Sequence, residues 1–375
     1  MLKAPLIAVL VSASLFFFTV SSFPAEKEIP TLPIGSPAPD FSLPSVDGKT
    51  YSLADFSAVR VLVIVFTANH CPTAQAYEQR IKEIAADYHD RGVALLAISP
   101  NDPLAVRLDE LGYTDLSDTF EEMKLRAADN QFNFPYLYDG ENQKVSMAYG
   151  PVATPHVFIF DQQRKLRYAG RIDDSEKPQG VKSQDAKDAI EALLAGKNPL
   201  VENTKTFGCS IKWADKHGSV QAAFQRWAAE PVEVKNINEA ELKELLANSS
   251  GNLRLINVWA TWCGPCVVEF PELVTVNRMY RGRNFELVTI SADSPENPDK
   301  VLAFLQKQEA SCINFLFSSD NKYDLIEAVD PEWPGSLPYT LLVKPGGDVI
   351  FRKLGQIEPL ELKKAIVGYL GRYYD

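Results

Sequence analysis

The feature that most limits the folds open to this chain is a pattern that occurs twice. Val61 to Phe66 and Val93 to Ile98 are continuous, β-branched apolar runs, and a helical pattern lies between them from Thr73 to Tyr88, with Ile81, Ile84 and Ala85 on one face. Leu253 to Trp259 and Phe285 to Ile290 flank a second such segment, Gly264 to Tyr280. Runs of this kind fit strands buried on both faces, and strands joined through a helix run parallel. The ends of the two copies also match. Thr154-Pro155 leads into Val157 to Phe160, a polar turn, Leu166 to Tyr168 and Gly170. Leu337-Pro338 leads into Thr340 to Val343, a turn at Pro345-Gly346-Gly347, Val349 to Phe351 and Gly355. Cys71 precedes Pro155 by 84 residues and Cys263 precedes Pro338 by 75. The repeat predicts an α/β protein of two tandem related domains, each a mixed central sheet flanked by helices.

A length of 375 residues suits two such domains. They are expected at 34–195 and 236–375. The first opens with a hairpin whose turn is Asp47-Gly48. A connecting segment, 196–235, carries Pro199, Gly208, Gly218 and Pro231, with a helical stretch from Lys216 to Ala229 whose Val220, Phe224 and Trp227 are expected to face a core. Residues 1–25 read as an export signal or N-terminal anchor. Lys3 precedes an apolar run from Leu6 to Val20, shorter than most spanning helices, and a cleaved signal is favoured over a retained anchor. The folded part is thus expected outside the cytoplasm, periplasmic or otherwise exported. No cysteine precedes Cys71, which excludes a lipid-modified cysteine at a cleavage site. The net charge of −11 and the lack of any Lys/Arg run argue against nucleic acid as a partner.

Five cysteines, Cys71, Cys209, Cys263, Cys266 and Cys312, are too few to staple a chain of this length, and the odd number leaves one unpaired. The decisive stretch is Trp259-Ala-Thr-Trp-Cys-Gly-Pro-Cys266. A cysteine opening a helix meets unpaired backbone N–H groups and the positive end of the helix dipole, which favour its thiolate. Cys263 is therefore the expected attacking sulfur, and Cys266, one turn deeper, is placed to release a mixed disulfide by closing the intramolecular one. Glu269, on the same helix face as Cys266, is a candidate to take up or deliver its proton. A zinc site would need about four ligands; His70, His89, His156 and His217 are scattered, so neither a metal nor another cofactor is expected.

From near Val234 to the C-terminus the chain resembles the thioredoxin superfamily, and within it the exported TlpA/ResA-like thiol–disulfide oxidoreductases. The resemblance rests on Trp-Cys-Gly-Pro-Cys after a buried strand, then Glu269, Pro271 and the distant Leu337-Pro338. It implies two thioredoxin-like domains and redox activity at Cys263 and Cys266. It further implies a proton-handling role for Glu269, the more so because Asn257 stands where thioredoxin has an aspartate. Pro338 is implied to be a cis-proline facing the cysteines. Trp262, Leu337 and Pro338 would bind an extended client chain, as would Thr154 and Pro155 in the other half. The partners implied are protein thiols or disulfides and a membrane redox protein, with cytochrome c maturation as one setting.

Residues 34–195 resemble the redoxin and AhpC/TSA-like branch of the same superfamily. Phe66-Thr-Ala-Asn-His-Cys71-Pro-Thr-Ala74 occupies the active-site position and Thr154-Pro155 the cis-proline position. Ala74 replaces the second cysteine, Tyr77 stands where the other half has Glu269, and Ala68 breaks the peroxidatic pattern. Cys71 keeps the strand-to-helix setting that activates a thiol, with Pro72 suited to the first turn. Three roles stand open for it: a one-cysteine thiol, a partner of Cys209, or a peroxidatic thiol recycled by the Cys263/Cys266 domain. A fourth reading makes this half a client-binding module. Cys312, amid Ile313, Phe315 and Phe317, is expected to be a buried apolar residue.

Overall fold

The computed structural model describes residues 29–374, so the signal or anchor expected at 1–25 lies outside the described residues. The Val61–Phe66 strand shows why an unbroken apolar run is needed at a sheet centre. Val61, Val63 and Val65 enter one core with Ile81, Ile84 and Tyr88. Leu62, Ile64 and Phe66 point the other way into a second core with Leu96, Phe158 and Phe160. Alternate side chains of one strand thus feed two hydrophobic layers. The second half repeats the device: Leu253, Leu255 and Trp259 share a core with Phe270 and Leu273, while Ile256 and Val258 pack with Val288, Leu325 and Leu341.

The first sheet has five strands in the order Tyr136–Tyr138, Val93–Ser99, Val61–Phe66, His156–Phe160, Leu166–Gly170. Its first three strands are parallel and its last two are each antiparallel to the preceding neighbour. The second sheet has six, Lys235–Ile237, Ile313–Phe317, Phe285–Ser291, Leu253–Trp259, Tyr339–Val343 and Val349–Leu354, with the first four parallel and the last two antiparallel to their neighbours. Each is a mixed sheet flanked by helices, the thioredoxin-like architecture expected twice over. In each, the central parallel strand ends just before a cysteine, and a 17-residue helix follows, Pro72–Tyr88 or Gly264–Tyr280. Pro271 lies inside the second helix without ending it. No described helix is long and apolar enough to cross a membrane.

The halves meet where the stretch around residues 103–115 of the first touches the active-site helix of the second. Val106 and Leu111 belong to the same core as Leu273 and Met279. The buried Tyr280 hydroxyl donates to the Thr114 carbonyl at 2.7 Å, and Arg372 pairs with Asp115 at 2.6 Å. The connecting segment is more ordered than its composition suggests. Cys209–Ser210 forms a short strand against Ala153–Thr154, and a helix runs His217–Ala228. The stripe expected to face inward on that helix is rotated: Ala223 and Trp227 are buried, whereas Phe224 is 42% exposed. Small Ala223 lets the helix approach closely, and Phe224 instead stands edge-on to Trp227 at 5.2 Å.

Phe270 is fully buried and edge-on to both Trp259, at 4.8 Å, and Phe304, at 5.2 Å. Truncating it removes contacts on two sides of the layer beneath the active-site helix. Phe270→Ala is expected to cost about 3–5 kcal/mol, read as a lower urea midpoint. A loss well under about 1 kcal/mol would mean that this layer closes around the void.

Candidate active sites

In the second half, the strand ends at Trp259 and Cys263 becomes the N-cap of the next helix, with Pro265 in its first turn. Cys263 Sγ accepts the Cys266 backbone N–H at 3.2 Å, so one of the helix's unpaired donors is aimed at this sulfur. A disulfide joins Cys263 to Cys266. Cys266 is wholly buried, while Cys263 keeps 6% exposure. Beside them opens a groove of about 280 Å³ lined by Trp262, Tyr323, Ile326, Trp333, Pro334 and Leu337. Trp262 stands at its rim, 58% exposed. The Leu337-Pro338 bond is cis, Pro338 is buried, and its carbonyl accepts from the Gly355 N–H.

Glu269 lies one turn beyond Cys266 and is buried. Its two oxygens are held apart: one accepts from Asn257 Nδ2 at 2.9 Å and the other from the Ile357 N–H at 2.9 Å. Asn257 also donates to Thr340 Oγ1 at 3.0 Å. Burial pushes the Glu269 carboxyl above its ordinary 4.5, and the two donors only partly offset it. Thr261, between Trp259 and the cysteines, is fastened by Asp293, which accepts its N–H at 2.8 Å and its hydroxyl at 2.5 Å. Asp293 went unnoticed in the sequence because nothing in its spacing ties it to a loop 32 residues earlier.

The first half places Cys71 at the same corner. It caps the Pro72–Tyr88 helix, and its Sγ accepts the Ala74 N–H at 3.3 Å. Here the sulfur is fully buried. Its S–H can donate to the Thr154 carbonyl at 3.1 Å, and it also accepts the Cys209 N–H at 3.4 Å. Thr154-Pro155 is cis. Thr154 and Pro155 do not line an open groove as expected: the edge beside them is filled by Cys209–Ser210, with Thr154 opposite Cys209. Behind the cysteine, His70 Nδ1 lies 2.5 Å from Asp118 Oδ2, both buried. Asp118 also accepts from Asn101 Nδ2 at 2.7 Å and from the Asn69 N–H at 2.8 Å. Burial opposes ionisation of Cys71, but the Cys209 thiol, the His70 charge and the Ala74 N–H together bring it down to about 6. Tyr77, in the place of Glu269, donates to Asp173 Oδ1 at 2.8 Å and so is anchored away from proton transfer.

Cys312 is packed against the core that holds Phe270 and Leu273. It is half-buried and its thiol donates to Asn314 Oδ1 at 3.2 Å; burial pushes it up to about 12, which leaves it unreactive. Neighbouring Ile313 is 42% exposed, because the edge strand Lys235–Ile237 pairs only from Phe315 onward and leaves the start of this strand uncovered. Among the described residues no group of three or more His, Cys, Asp or Glu is placed to hold a metal.

Two thioredoxin-like domains, each with a cysteine capping a helix and a cis X-Pro bond, define a thiol-redox class of fold. Residues 34–169 and 220–352 both match the AhpC/TSA family, and the chain belongs to it. Curated relatives include the thiol-disulfide oxidoreductase ResA of Oceanobacillus iheyensis, 28% identical over 32% of this chain and 60% of that protein. The ResA of Geobacillus thermodenitrificans is 25% identical over 43% of this chain and 81% of its own length. This chain thus spans less than two thirds of some of these relatives. Among solved structures, an uncharacterized conserved protein from Geobacillus kaustophilus is 37% identical, covering 48% of this chain and 92% of its own, with a TM-score of 0.42.

The direction of the Glu269 shift fixes the sign of a pH effect. Because the fold prefers the neutral carboxyl, this group's stabilising contribution is full below its ordinary 4.5 and is lost as pH rises through its higher folded value. Wild-type stability should therefore fall relative to that of Glu269→Gln as pH is raised from about 4.5 toward neutrality. Denaturant midpoints across that range check it, and parallel curves would contradict the shift.

Proposed function

We propose that this protein is an extracytoplasmic thiol–disulfide oxidoreductase that exchanges disulfides with protein substrates through Cys263 and Cys266. The observation that carries the reading is the cysteine pair itself: a disulfide at a helix N-terminus, its outer cysteine next to Trp262, which lines a groove, and its inner sulfur sealed. In the reduced protein, the Cys263 thiolate is stabilised by the Cys266 N–H and the helix dipole, and it attacks one sulfur of a client disulfide. The client's other sulfur leaves and takes a proton. Cys266 then attacks Cys263 Sγ, releases the second client thiol and closes the intramolecular disulfide. The same steps run backwards oxidise a client. Glu269, its carboxyl raised by burial, is the proton-handling group for Cys266. Trp262 and Leu337 line the groove in which an extended client chain would lie, with the backbone before cis Pro338 as its pairing edge. The apolar run after Lys3 supports export, and a membrane protein supplying electrons would regenerate the dithiol. ResA-like relatives lend weight to this reading.

Cys263→Ser should reduce the rate of insulin disulfide reduction by roughly a thousandfold or more, as the loss of a nucleophile does. Cys266→Ala should instead accumulate a mixed disulfide between Cys263 and the client, visible on a non-reducing gel. Full activity in Cys263→Ser would remove the basis of the assignment.

A further inference from the structure

The first half has an attacking-type cysteine but no second cysteine on its helix, and the edge where a client chain would pair is already taken. That edge is held by residues of the connecting segment. Thr154 and Cys209 are directly opposed in an antiparallel pair, beside the cis bond to Pro155. Gly208 lies at φ +138°, and a Cβ there would fall 2.0 Å from the Thr154 carbonyl oxygen, so the segment is fitted tightly to the proline loop. This docking brings the Cys209 N–H to 3.4 Å from Cys71 Sγ. The small cluster of Ala68, Cys71 and Ala74 has Cys209 as its apolar neighbour. Tyr374, from the far end of the chain, stands edge-on to Tyr113 at 4.9 Å.

We propose that Cys71 and Cys209 form a second dithiol–disulfide couple, in which the strand carrying Cys209 occupies the first domain's cis-proline edge as a tethered substrate. The partner is an external disulfide, RSSR. When the strand lifts, the Cys71 thiolate attacks one sulfur of RSSR; an S–S bond forms between Cys71 and R, and RS⁻ leaves and is protonated. On re-docking, Cys209 gives up its proton and attacks Cys71 Sγ, expelling the second RS⁻, which takes up a proton. Two electrons pass from the cysteine pair to RSSR, and the products are one internal disulfide and two RSH. The sequence separation of 138 residues between the two sulfurs does not weaken the couple, because docking at the proline loop supplies the proximity that a short motif supplies in the second half. Buried Cys71 exchanges only as often as the strand opens, so the strand is also its gate.

The test uses the full chain with Cys263→Ser and Cys266→Ser, so its outcome is independent of the second site. The reduced protein is incubated with glutathione disulfide and mapped by peptide mass spectrometry. The expected product is a peptide pair linked through Cys71 and Cys209, with Cys312 still free. Adding Cys209→Ser should halt the reaction at one glutathione on Cys71. Both thiols left free, or each carrying its own glutathione in the parent, would overturn the couple. Gly208→Ala, which cannot keep the strand in register, should raise the rate of Cys71 alkylation by iodoacetamide roughly tenfold or more, with the circular-dichroism spectrum unchanged. An unaltered rate would overturn the gating.

Discussion

Both halves of this molecule are organised around one contact: a cysteine sulfur at a helix N-cap accepting a backbone N–H from the first turn. The distances are close, 3.3 Å from Ala74 to Cys71 and 3.2 Å from Cys266 to Cys263. The contact depends on a buried strand ending at the right point and on a proline in the first helical turn, which gives up no needed donor. The central sheets exist, in this sense, to hold two sulfurs at the positive ends of two helices. The cores on either face of Val61–Phe66 and of Leu253–Trp259 fix those strand ends against movement.

From that shared corner the halves diverge in what lies across from the cis-proline. Opposite Leu337-Pro338 the surface is open, with exposed Trp262 at the rim and a groove behind it. Opposite Thr154-Pro155 the chain's own connecting segment completes a two-residue pairing and closes the site. The supports behind the sulfurs differ as well. Glu269 beneath Cys266 is a buried carboxyl pushed toward its neutral form, whereas His70 and Asp118 behind Cys71 form a buried pair that favours a thiolate. One site opens to solvent beside the exposed Trp262. The other is covered by the chain's own connecting strand, with Cys71 buried beneath it.

What could be read from the residues follows the range of the interactions concerned. The two strand–helix–strand units, both X-Pro positions and the Cys-Gly-Pro-Cys corner are local patterns, set by periodicity over a few turns, and they are where the sequence places them. Asp118 was invisible because it meets His70 from a loop 48 residues away. The sequence offers Cys209 only as a disulfide partner of Cys71; its strand pairing with Thr154 is hidden, because two residues of strand carry no periodic signal of their own. On the connecting helix, spacing marked Phe224 and Trp227 as one face, yet the approach allowed by Ala223 decided the rotation.

The joint between the halves gives the arrangement a further physical consequence. The stretch that carries Leu111, Thr114 and Asp115 packs on the active-site helix of the second half, and the tail beyond that half's last helix returns to the first through Arg372 and Tyr374. Arg372 is held at Asp115 by a largely buried ion pair and also reaches Gln75 Oε1 on the Cys71 helix at 3.4 Å. A displacement of the strand bearing Cys209 would disturb the Tyr374 contact, and with it the tail that leaves the Pro359–Leu370 helix. That helix also packs in the core containing Cys263 and Cys266, through Leu362, Ile366 and Val367. The two sulfur corners are therefore joined through packed groups rather than by a loose tether.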